Sequence, residues 1–245
     1  HGNKDAYERL FALEADAVVL GGDLLPYPRE GDLIGVQRRF AEEFLAPKLA
    51  SRPTYWIPGN DDWEGALGPL EGKGIPIHNR AVEFLDGLWI AGYACVPLTP
   101  FGMKDFDRYD GGSWEPDRVP KQCLLSGPRG PERVDLIRIR TRGTIAGDLG
   151  KLAALSDPSK TVYVIHTPPY GSGLDLLYDG TPIGSPAVAA FLAARKPPIS
   201  VHGHVHESPG IRTLGSTLSL NPGDSLRGLH AVRVDLKSRS ALPVA

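Results

Sequence analysis

Apolar residues in the first part of the chain alternate between helical and strand-like spacing. Residues 7–14 carry apolar side chains at intervals of three and four, which is typical of a helix with one buried face. Residues 17–20 form a short continuous apolar run, as in a strand that is buried on both faces. Residues 33–45 then predict a second helix that ends before Pro47, and residues 54–57 predict a second buried strand.

The second half of the chain contains the same kinds of element and adds hairpins. Asp86-Gly87 separates two apolar segments and predicts a two-residue β-turn between them. Residues 185–195 have the pattern of an amphipathic helix, with Ser185 as the N-cap and Pro186 at the first helical position. A further helix is predicted at residues 147–155, and strands are predicted at residues 82–85, 88–91, 162–165, 199–201, 217–220 and 230–236.

Residues 97–143 differ from the rest of the chain, because they are rich in proline, glycine and charged residues and lack a clear period. They predict a long irregular insertion with at most a short helix. Long insertions in a compact domain often serve as lids over a functional site. We therefore expect this segment to border the site and to influence which molecules bind there.

Strands that alternate with helices predict an α/β domain with much parallel sheet. In such sheets, functional sites lie beyond the carboxyl ends of the strands. Asp23, Asn60, His166 and His204 each occur within three residues of the end of a predicted strand. We therefore expect these four side chains, which are far apart in sequence, to lie together at one edge of the sheet.

The composition narrows the class of protein. A length of 245 residues with 41% hydrophobic and 23% charged residues fits one globular domain better than two small ones. A net charge of −2 gives no electrostatic basis for binding nucleic acid or an anionic membrane. No apolar run approaches the roughly 20 residues that span a bilayer. Two cysteines, Cys95 and Cys123, are too few for a disulfide framework and favour a reducing compartment, so we expect a cytoplasmic location.

The segment Ser200–His206 contains three alternate histidines directly after a predicted strand. Gly203, in the middle of this segment, permits the sharp turn that would bring the imidazoles together. With His1 and His166 included, five of the seven histidines of the chain lie in three short segments. This concentration predicts a metal site that is built from loops at one edge of the sheet.

The polar segments occur in the order His1-Gly2-Asn3, Gly21-Gly22-Asp23, Gly59-Asn60-Asp61, His166 and Gly203-His204-Val205-His206. This ordered set resembles the calcineurin-like metallophosphoesterases, which carry D-x-H, G-D, G-N-H, H and G-H-x-H, each after a strand. The resemblance implies a four-layer α-β-β-α sandwich with two mixed β-sheets, formed by residues 1–245 as a single domain. It also implies a first strand, and an aspartate at its end, upstream of residue 1.

The resemblance implies six metal ligands, of which two bind one ion, three bind a second ion and one bridges both. The ligands of the first ion are His1 and His206, those of the second are Asn60, His166 and His204, and the bridge is Asp23. Carboxylate, amide oxygen and imidazole together suit Mn²⁺, Fe²⁺ or Zn²⁺ better than Mg²⁺ or Ca²⁺. The expected cofactors are therefore two divalent ions, with Mn²⁺ favoured and Fe or Zn as alternatives.

The same resemblance implies hydrolysis of a phosphoric ester. In this chemistry a hydroxide held between the two ions attacks the phosphorus of a small phosphomonoester or phosphodiester. The expected partner is therefore a small phosphorylated substrate. The sequence leaves open which of the two ester classes is used, which residues bind the rest of the substrate, and how many subunits the protein has.

Asp61 departs from the family pattern, because it occupies the place of the histidine in G-N-H. By resemblance, Asn60 and Asp61 are the catalytic residues, and that histidine helps the leaving group depart. An aspartate with an ordinary pKa of about 3.9 would be ionised at neutral pH and would repel phosphate. The expectation is slow leaving-group departure, unless burial keeps Asp61 protonated as an acid. The alternative is a catalytically weak or inactive protein that uses this fold as a binding scaffold.

Overall fold

The computed structural model of the chain describes residues 1–28, 30–111 and 122–244. Its α-helices are α1 (Lys4–Ala12), α2 (Leu33–Phe40), α3 (Ala46–Ser51), α4 (Leu136–Arg140), α5 (Ile145–Leu152) and α6 (Pro186–Arg195). Its strands are β1 (Val18–Gly21), β2 (Thr54–Ile57), β3 (Ile75–Pro76), β4 (Arg80–Glu83), β5 (Trp89–Tyr93), β6 (Val96–Pro97), β7 (Asp107–Arg108), β8 (Cys123–Gly127), β9 (Gly130–Val134), β10 (Thr161–Ile165), β11 (Ile199–Val201), β12 (Gly210–Leu214), β13 (Thr217–Asn221), β14 (Ala231–Asp235) and β15 (Ser240–Val244). The predicted helices and strands are present, and their ends differ from the predicted ones by a few residues.

Two sheets form the centre of the molecule. The smaller sheet has the strand order β1-β2-β3, and its described strands are all parallel. The larger sheet has the order β12-β13-β11-β10-β5-β4, with parallel strands in the middle and an antiparallel strand at each edge. The larger sheet is therefore mixed, as the resemblance implies, whereas the smaller one is not. β14 and β15 form a separate antiparallel pair.

Alternate side chains of the smaller sheet face different layers. Leu20 and Trp56 pack with α1 and α3 on the outer face, whereas Ile57 packs against the larger sheet. On the far side of the larger sheet, the ring of Phe191 in α6 lies 5.0 Å from the ring of Tyr163 in β10. The layers are thus helix, sheet, sheet and helix, so the predicted α-β-β-α sandwich is confirmed.

The long helix that begins at Leu33 passes through Pro47 instead of ending before it. Residues Ala41–Leu45 form one π-helical turn between α2 and α3. Pro47 then lies in the first turn of α3, where the missing N–H of a proline leaves no hydrogen bond unmade. The predicted helix end is therefore wrong, because the π-turn restarts the hydrogen-bond pattern just ahead of the proline.

The described part of residues 97–143 is more regular than predicted. β8 and β9 form an antiparallel hairpin that is followed by α4, while residues 112–121 lie outside the described residues. The carboxylate of Asp105 accepts hydrogen bonds from the N–H of Ser126 in this hairpin (2.8 Å) and from that of Glu64 (2.9 Å). The hairpin is therefore attached to the loop that follows β2. β8 and β9 have five residues each and include glycine and proline, so they leave no clear period in the sequence, which is why an irregular segment is the wrong prediction.

The carboxyl ends of β1, β2, β10 and β11 meet at one edge of the sandwich. β1 is parallel to β2, and β10 is parallel to β11. The two sheets are joined at this edge by the ring Nδ1 of His166, which lies 2.7 Å from the carbonyl oxygen of Gly21. Because the chain turns here after each strand, side chains that are distant in sequence are brought together.

A groove of about 610 Å³ lies beside the free edge of β1. The hydrogen bond from Val18 N–H to Pro53 O (2.9 Å) shows that the backbone of Val18 points toward β2. In a parallel pair, the N–H and C=O of the next residue, Val19, point the other way, into the groove. Side chains of β14, including Val232 and Val234, line the groove as well. The groove therefore offers a further strand both free backbone groups of β1 and apolar side chains of β14.

The first residues of the chain run along the same edge. Gly2 N–H donates to Leu24 O at 3.2 Å, and the backbone nitrogen of His1 contacts the carbonyl oxygen of Asp23. Residues 1 and 2 are therefore parallel to residues 23 and 24. The further strand that the resemblance implies stays a prediction, and the groove is the place where such a strand would pair.

We expect a six-residue apolar segment fused ahead of His1 to pair with β1 in this groove. Hydrogen exchange of the Val19 amide should then slow by roughly fivefold, because its N–H gains a partner worth about 1 kcal/mol. A matched segment with proline at the positions whose N–H groups would donate to Val19 O keeps its carbonyl acceptors but cannot complete the strand pairing, so it should leave the exchange rate unchanged. Equal exchange rates for the two extended chains would contradict this pairing.

Candidate metal centre

His166 occupies the centre of the site and follows β10 directly. Its ring Nδ1 donates to the carbonyl oxygen of Gly21 at 2.7 Å, since a carbonyl can only accept. This bond fixes the ring so that Nε2 points inward, where it lies 3.2 Å from Asp23 Oδ2 and 3.2 Å from Asn60 Oδ1. An imidazole held by a backbone carbonyl on one nitrogen is the usual arrangement of a histidine metal ligand.

His204 completes a first group of donor atoms. Its Nδ1 lies 2.7 Å from Asn60 Oδ1, and its ring centre is 5.4 Å from that of His166. The backbone of His204 has φ = +63°, a conformation that is uncommon for a residue with a side chain. This turn reverses the chain after β11 and directs the ring to the site. The first group therefore consists of Asn60, His166 and His204, with Asp23 at its side.

A second group lies on the other side of Asp23. His1 Nε2 is 2.8 Å from His206 Nε2 and 3.7 Å from Asp23 Oδ2. Donor atoms of these three residues all lie within 4.8 Å of one another, so the three could hold one metal ion. On its outer side His206 has a charged neighbour, because its Nδ1 is 3.9 Å from Asp224 Oδ2.

The glycines of the motifs are required by the closeness of these groups. A Cβ atom added to Gly59 would lie 2.2 Å from Asp23 Oδ1 and 2.7 Å from His166 Nε2. A Cβ atom added to Gly22 would lie 2.3 Å from His166 Nδ1, and this glycine also has φ = +111°. Any side chain at either position would push the donor atoms apart, which explains why Gly-Asp and Gly-Asn occur as pairs.

The donor atoms suit divalent ions in kind and in spacing. Ligand atoms about 2.1 Å from an ion lie about 3 Å apart when they are at right angles to each other. The separations across the two groups, from 2.7 to 3.7 Å, agree with this spacing. Imidazole nitrogen with carboxylate and amide oxygen is a set that Mn²⁺, Fe²⁺ and Zn²⁺ accept. The residues present therefore fit two such ions.

The pKa values of His204 and Asp23 also favour the protonation states that bind a cation. Burial, reinforced by the neighbouring His166, lowers the pKa of His204 to about 3, so its ring is neutral at neutral pH. Burial by itself would raise the pKa of Asp23, but His166 and the Asp61 N–H hold it well below its ordinary value. Burial opposes charge on His166 too, yet Asp23 raises its pKa above the ordinary value. A histidine that binds a metal has to be deprotonated, so a metal bound here would compete with a proton for His166.

Asp61 lies next to both groups. Its N–H donates to Asp23 Oδ1 at 2.9 Å, and its Oδ2 is 3.8 Å from His1 Nδ1. Burial, together with repulsion from Asp23 and Asp62, raises the pKa of Asp61 to about 8. Burial and these neighbours therefore favour a protonated Asp61 at neutral pH, which is the alternative that the sequence left open. Bound cations would lower this pKa again.

Two buried residues that the sequence did not single out as site residues hold the loops in place. Asp62 is 0% exposed and accepts hydrogen bonds from the N–H of Leu24, Leu25 and Gly59. Asn221 donates to Val205 O at 2.8 Å and so supports the loop between His204 and His206. Asp62 follows Gly-Asn-Asp directly, but its role depends on contacts with a distant loop that no local pattern indicates.

The remaining histidine of the cluster is structural. His202 is 1% exposed, and its Nδ1 lies 3.0 Å from Ile165 O and 3.1 Å from Thr167 O. Its Nε2 lies 3.0 Å from Ser200 Oγ. Burial lowers the pKa of His202 to about 4, so the neutral ring serves to join β11 to the end of β10. Of the three alternate histidines, His204 and His206 therefore lie in the two groups of donor atoms, and His202 does not.

Among the described residues, every helix is too short or too polar to cross a lipid bilayer. The fold is similar to that of TT1561 of Thermus thermophilus, a crystal structure with 20% sequence identity and a TM-score of 0.60, over 99% of this chain and 93% of that chain. A second crystal structure has 18% identity and a TM-score of 0.60, over 94% of this chain and 87% of that chain. Identities this low show the fold alone.

No curated protein matches the chain significantly. The family model of the calcineurin-like phosphoesterases, in contrast, matches residues 1–208. This range contains α1, the loops that follow β1 and β2, His166 and the segment from His202 to His206. The match thus covers most of the chain and every donor residue of the two groups. The chain belongs to the calcineurin-like phosphoesterase family.

Proposed function

We propose that this protein is a dinuclear metal-dependent phosphoesterase that hydrolyses a small phosphomonoester or phosphodiester. Its family indicates a metal-dependent phosphoesterase in general. The observation that carries the more specific proposal is the position of Asp23, which lies between two groups of donor atoms and is within 3.7 Å of a histidine in each. One carboxylate so placed can be shared by two ions.

The ligand assignment follows from the two groups. His1 and His206 would hold one ion, Asn60, His166 and His204 would hold the other, and Asp23 would join them. When bound, two such ions lower the pKa of a coordinated water and neutralise the charge of a phosphoryl group. Mn²⁺ fits the mixed donor set best, and Fe²⁺ or Zn²⁺ fit it as well.

The residues of the chain itself supply orientation and proton chemistry. The Gly21 carbonyl keeps the His166 ring in one tautomer. Asn60 contributes its amide oxygen, while its Nδ2 donates to Asp61 Oδ1 at 2.9 Å and so fixes the Asp61 carboxyl group. The side chain of Asp61 is 22% exposed, whereas Asp23 is only 6% exposed. Asp61 is therefore the carboxyl group of this cluster that a substrate can reach.

The charge of the site makes the binding of a phosphoester depend on bound cations. The net charge of the chain is −2, and the site contains the ionised carboxylate of Asp23, whose pKa His166 holds well below its ordinary value. Without bound cations, this arrangement would repel a phosphate group. Attraction of the substrate therefore depends on the ions, and affinity for phosphoesters should require them.

We expect Asp23→Asn, His166→Ala and His204→Ala each to lower turnover of an aryl phosphodiester by roughly 10²-fold or more. Loss of an outer-shell partner already costs about 10–100-fold, and these changes remove the ligands themselves. Turnover and bound metal should be measured on the same Mn²⁺-loaded samples, by absorbance and by elemental analysis. His230→Ala changes an exposed histidine outside the two groups and should behave as wild type.

Two outcomes would count against the proposal. Variants that keep near wild-type turnover and metal content would show that the ligand assignment is wrong. Wild-type protein that binds no metal after Mn²⁺ loading would favour the scaffold function, for which the aspartate in place of the family histidine is the supporting feature.

Asp61 should control the alkaline side of the pH–rate profile on an alkyl phosphoester. Burial and the neighbouring carboxylates raise its pKa to about 8. It can therefore donate a proton to an alkoxide leaving group at lower pH and loses this ability as the pH rises through its pKa. Bound cations shift that pKa downward, so the rate should fall at or below about pH 8.

Asp61→Asn is the matched change, because an amide of the same shape has no acidic proton. It should remove the alkaline limb and slow the alkyl ester by about 10²-fold or more, while an aryl ester, whose leaving group needs no proton, should change little. Identical pH profiles for the wild type and Asp61→Asn on the alkyl ester would exclude this role.

A further inference from the structure

Two loops carry the shared and catalytic side chains of the centre. The Asp23 loop comprises residues 22–26, after β1, and the Asn60 loop comprises residues 58–63, after β2. A ligand site tolerates deviations of only about 0.5 Å in its donor atoms. The separation of these two loops therefore has to be fixed by contacts between them.

Gln37 of α2 reaches both loops from the helix behind them. Its Nε2 donates to Pro26 O at 2.9 Å and to Asp61 O at 2.7 Å, and its Oε1 accepts from Trp63 N–H at 2.7 Å. The side chain is 0% exposed. One amide group thus satisfies two backbone groups of the Asn60 loop and one of the Asp23 loop.

The burial of Gln37 is unusual for its helix. In α2 the buried residue is this glutamine, whereas the apolar residues Leu33 and Ile34 are only partly buried. A buried amide loses its hydration and needs hydrogen-bond partners, so it stabilises a helix less than a buried leucine would. Its presence is best explained by the three backbone groups that it binds.

Asp62 makes the complementary connection from inside the Asn60 loop. Its Oδ2 accepts from Leu24 N–H (3.0 Å) and Gly59 N–H (2.8 Å), and its Oδ1 accepts from Leu25 N–H (2.8 Å). This carboxyl group is 0% exposed as well. Gln37 and Asp62 together make six hydrogen bonds to the two loops.

We propose that Gln37 and Asp62 form a clasp that sets the distance between Asp23 and Asn60 and thereby the affinity of the centre for divalent ions. Both are positioning residues, because they contact backbone groups and no donor atom of the site. This role rests on the proposed metal centre. The direct contact that the clasp preserves is the hydrogen bond from Asp61 N–H to Asp23 Oδ1, at 2.9 Å.

Gln37→Met tests the clasp, because methionine keeps the length of the side chain and removes all three hydrogen bonds. We expect Mn²⁺ titration of the purified full chain to show an affinity about 10–100-fold below wild type, the range found when outer-shell partners are lost. Gln37→Glu keeps the acceptor for Trp63 N–H, but even when protonated its carboxyl group can donate to only one of Pro26 O and Asp61 O. It should therefore fail to restore the full affinity.

Thr217→Val is the control for general destabilisation. Thr217 is 0% exposed and donates to Pro197 O at 2.7 Å, and it begins β13, at the end of the sheet opposite the site. This variant should lower the melting temperature and keep the wild-type Mn²⁺ affinity. Equal losses of affinity in Thr217→Val and Gln37→Met would overturn the clasp, as would an affinity within about twofold of wild type in Gln37→Met.

Hydrogen exchange of the metal-free proteins separates the clasp from the proposed function. Peptides that cover residues 22–26 and 58–63 should exchange faster in Gln37→Met than in wild type, and should not do so in Thr217→Val. This result would support the clasp even if the wild type bound no Mn²⁺, in which case the proposed function alone would fail. Unchanged exchange in both loops would overturn the clasp whatever the metal affinity.

Discussion

The site depends on the interactions of the buried Asp23 carboxylate with the two sheets. This carboxylate accepts a hydrogen bond from Asp61 N–H on the neighbouring loop of the smaller sheet, and it lies 3.2 Å from His166 of the larger sheet. His166 in turn binds the Gly21 carbonyl and thereby joins the two sheets at their carboxyl ends. The packing of the two sheets and the geometry of the donor atoms therefore depend on the same contacts.

This arrangement costs stability, and the cost is concentrated at the site. Asp23 and His204 both have positive φ values, of +53° and +63°, which cost about 1–3 kcal/mol each for residues of this kind. Three aspartates lie close together, and burial with mutual repulsion raises the pKa values of Asp61 and Asp62 to about 8 and about 6. Such a cluster is unfavourable for a purely structural protein, whereas a bound cation would relieve the repulsion directly.

The sequence by itself determined the order of the elements and the residues that are proposed to carry the chemistry. The apolar periods located the strands that deliver Asp23 and His166, because a buried strand needs apolar residues on both faces. Local capping chemistry located α6, where Ser185 accepts from Val188 N–H as predicted. The motif order placed Asn60 and His204 in one site, since the carboxyl ends of parallel strands meet at one edge.

Only the tertiary structure decided how these residues are held and charged. Gln37 and Asp62 act through backbone groups of loops that are distant in sequence, and hydrogen bonds of this kind leave no periodic pattern. The continuation of the helix through Pro47 depends on a π-turn, and the pKa of Asp61 depends on burial beside Asp23. Periodicity and capping are local properties and can be read from the chain, whereas burial and electrostatic coupling exist only between groups that folding brings together.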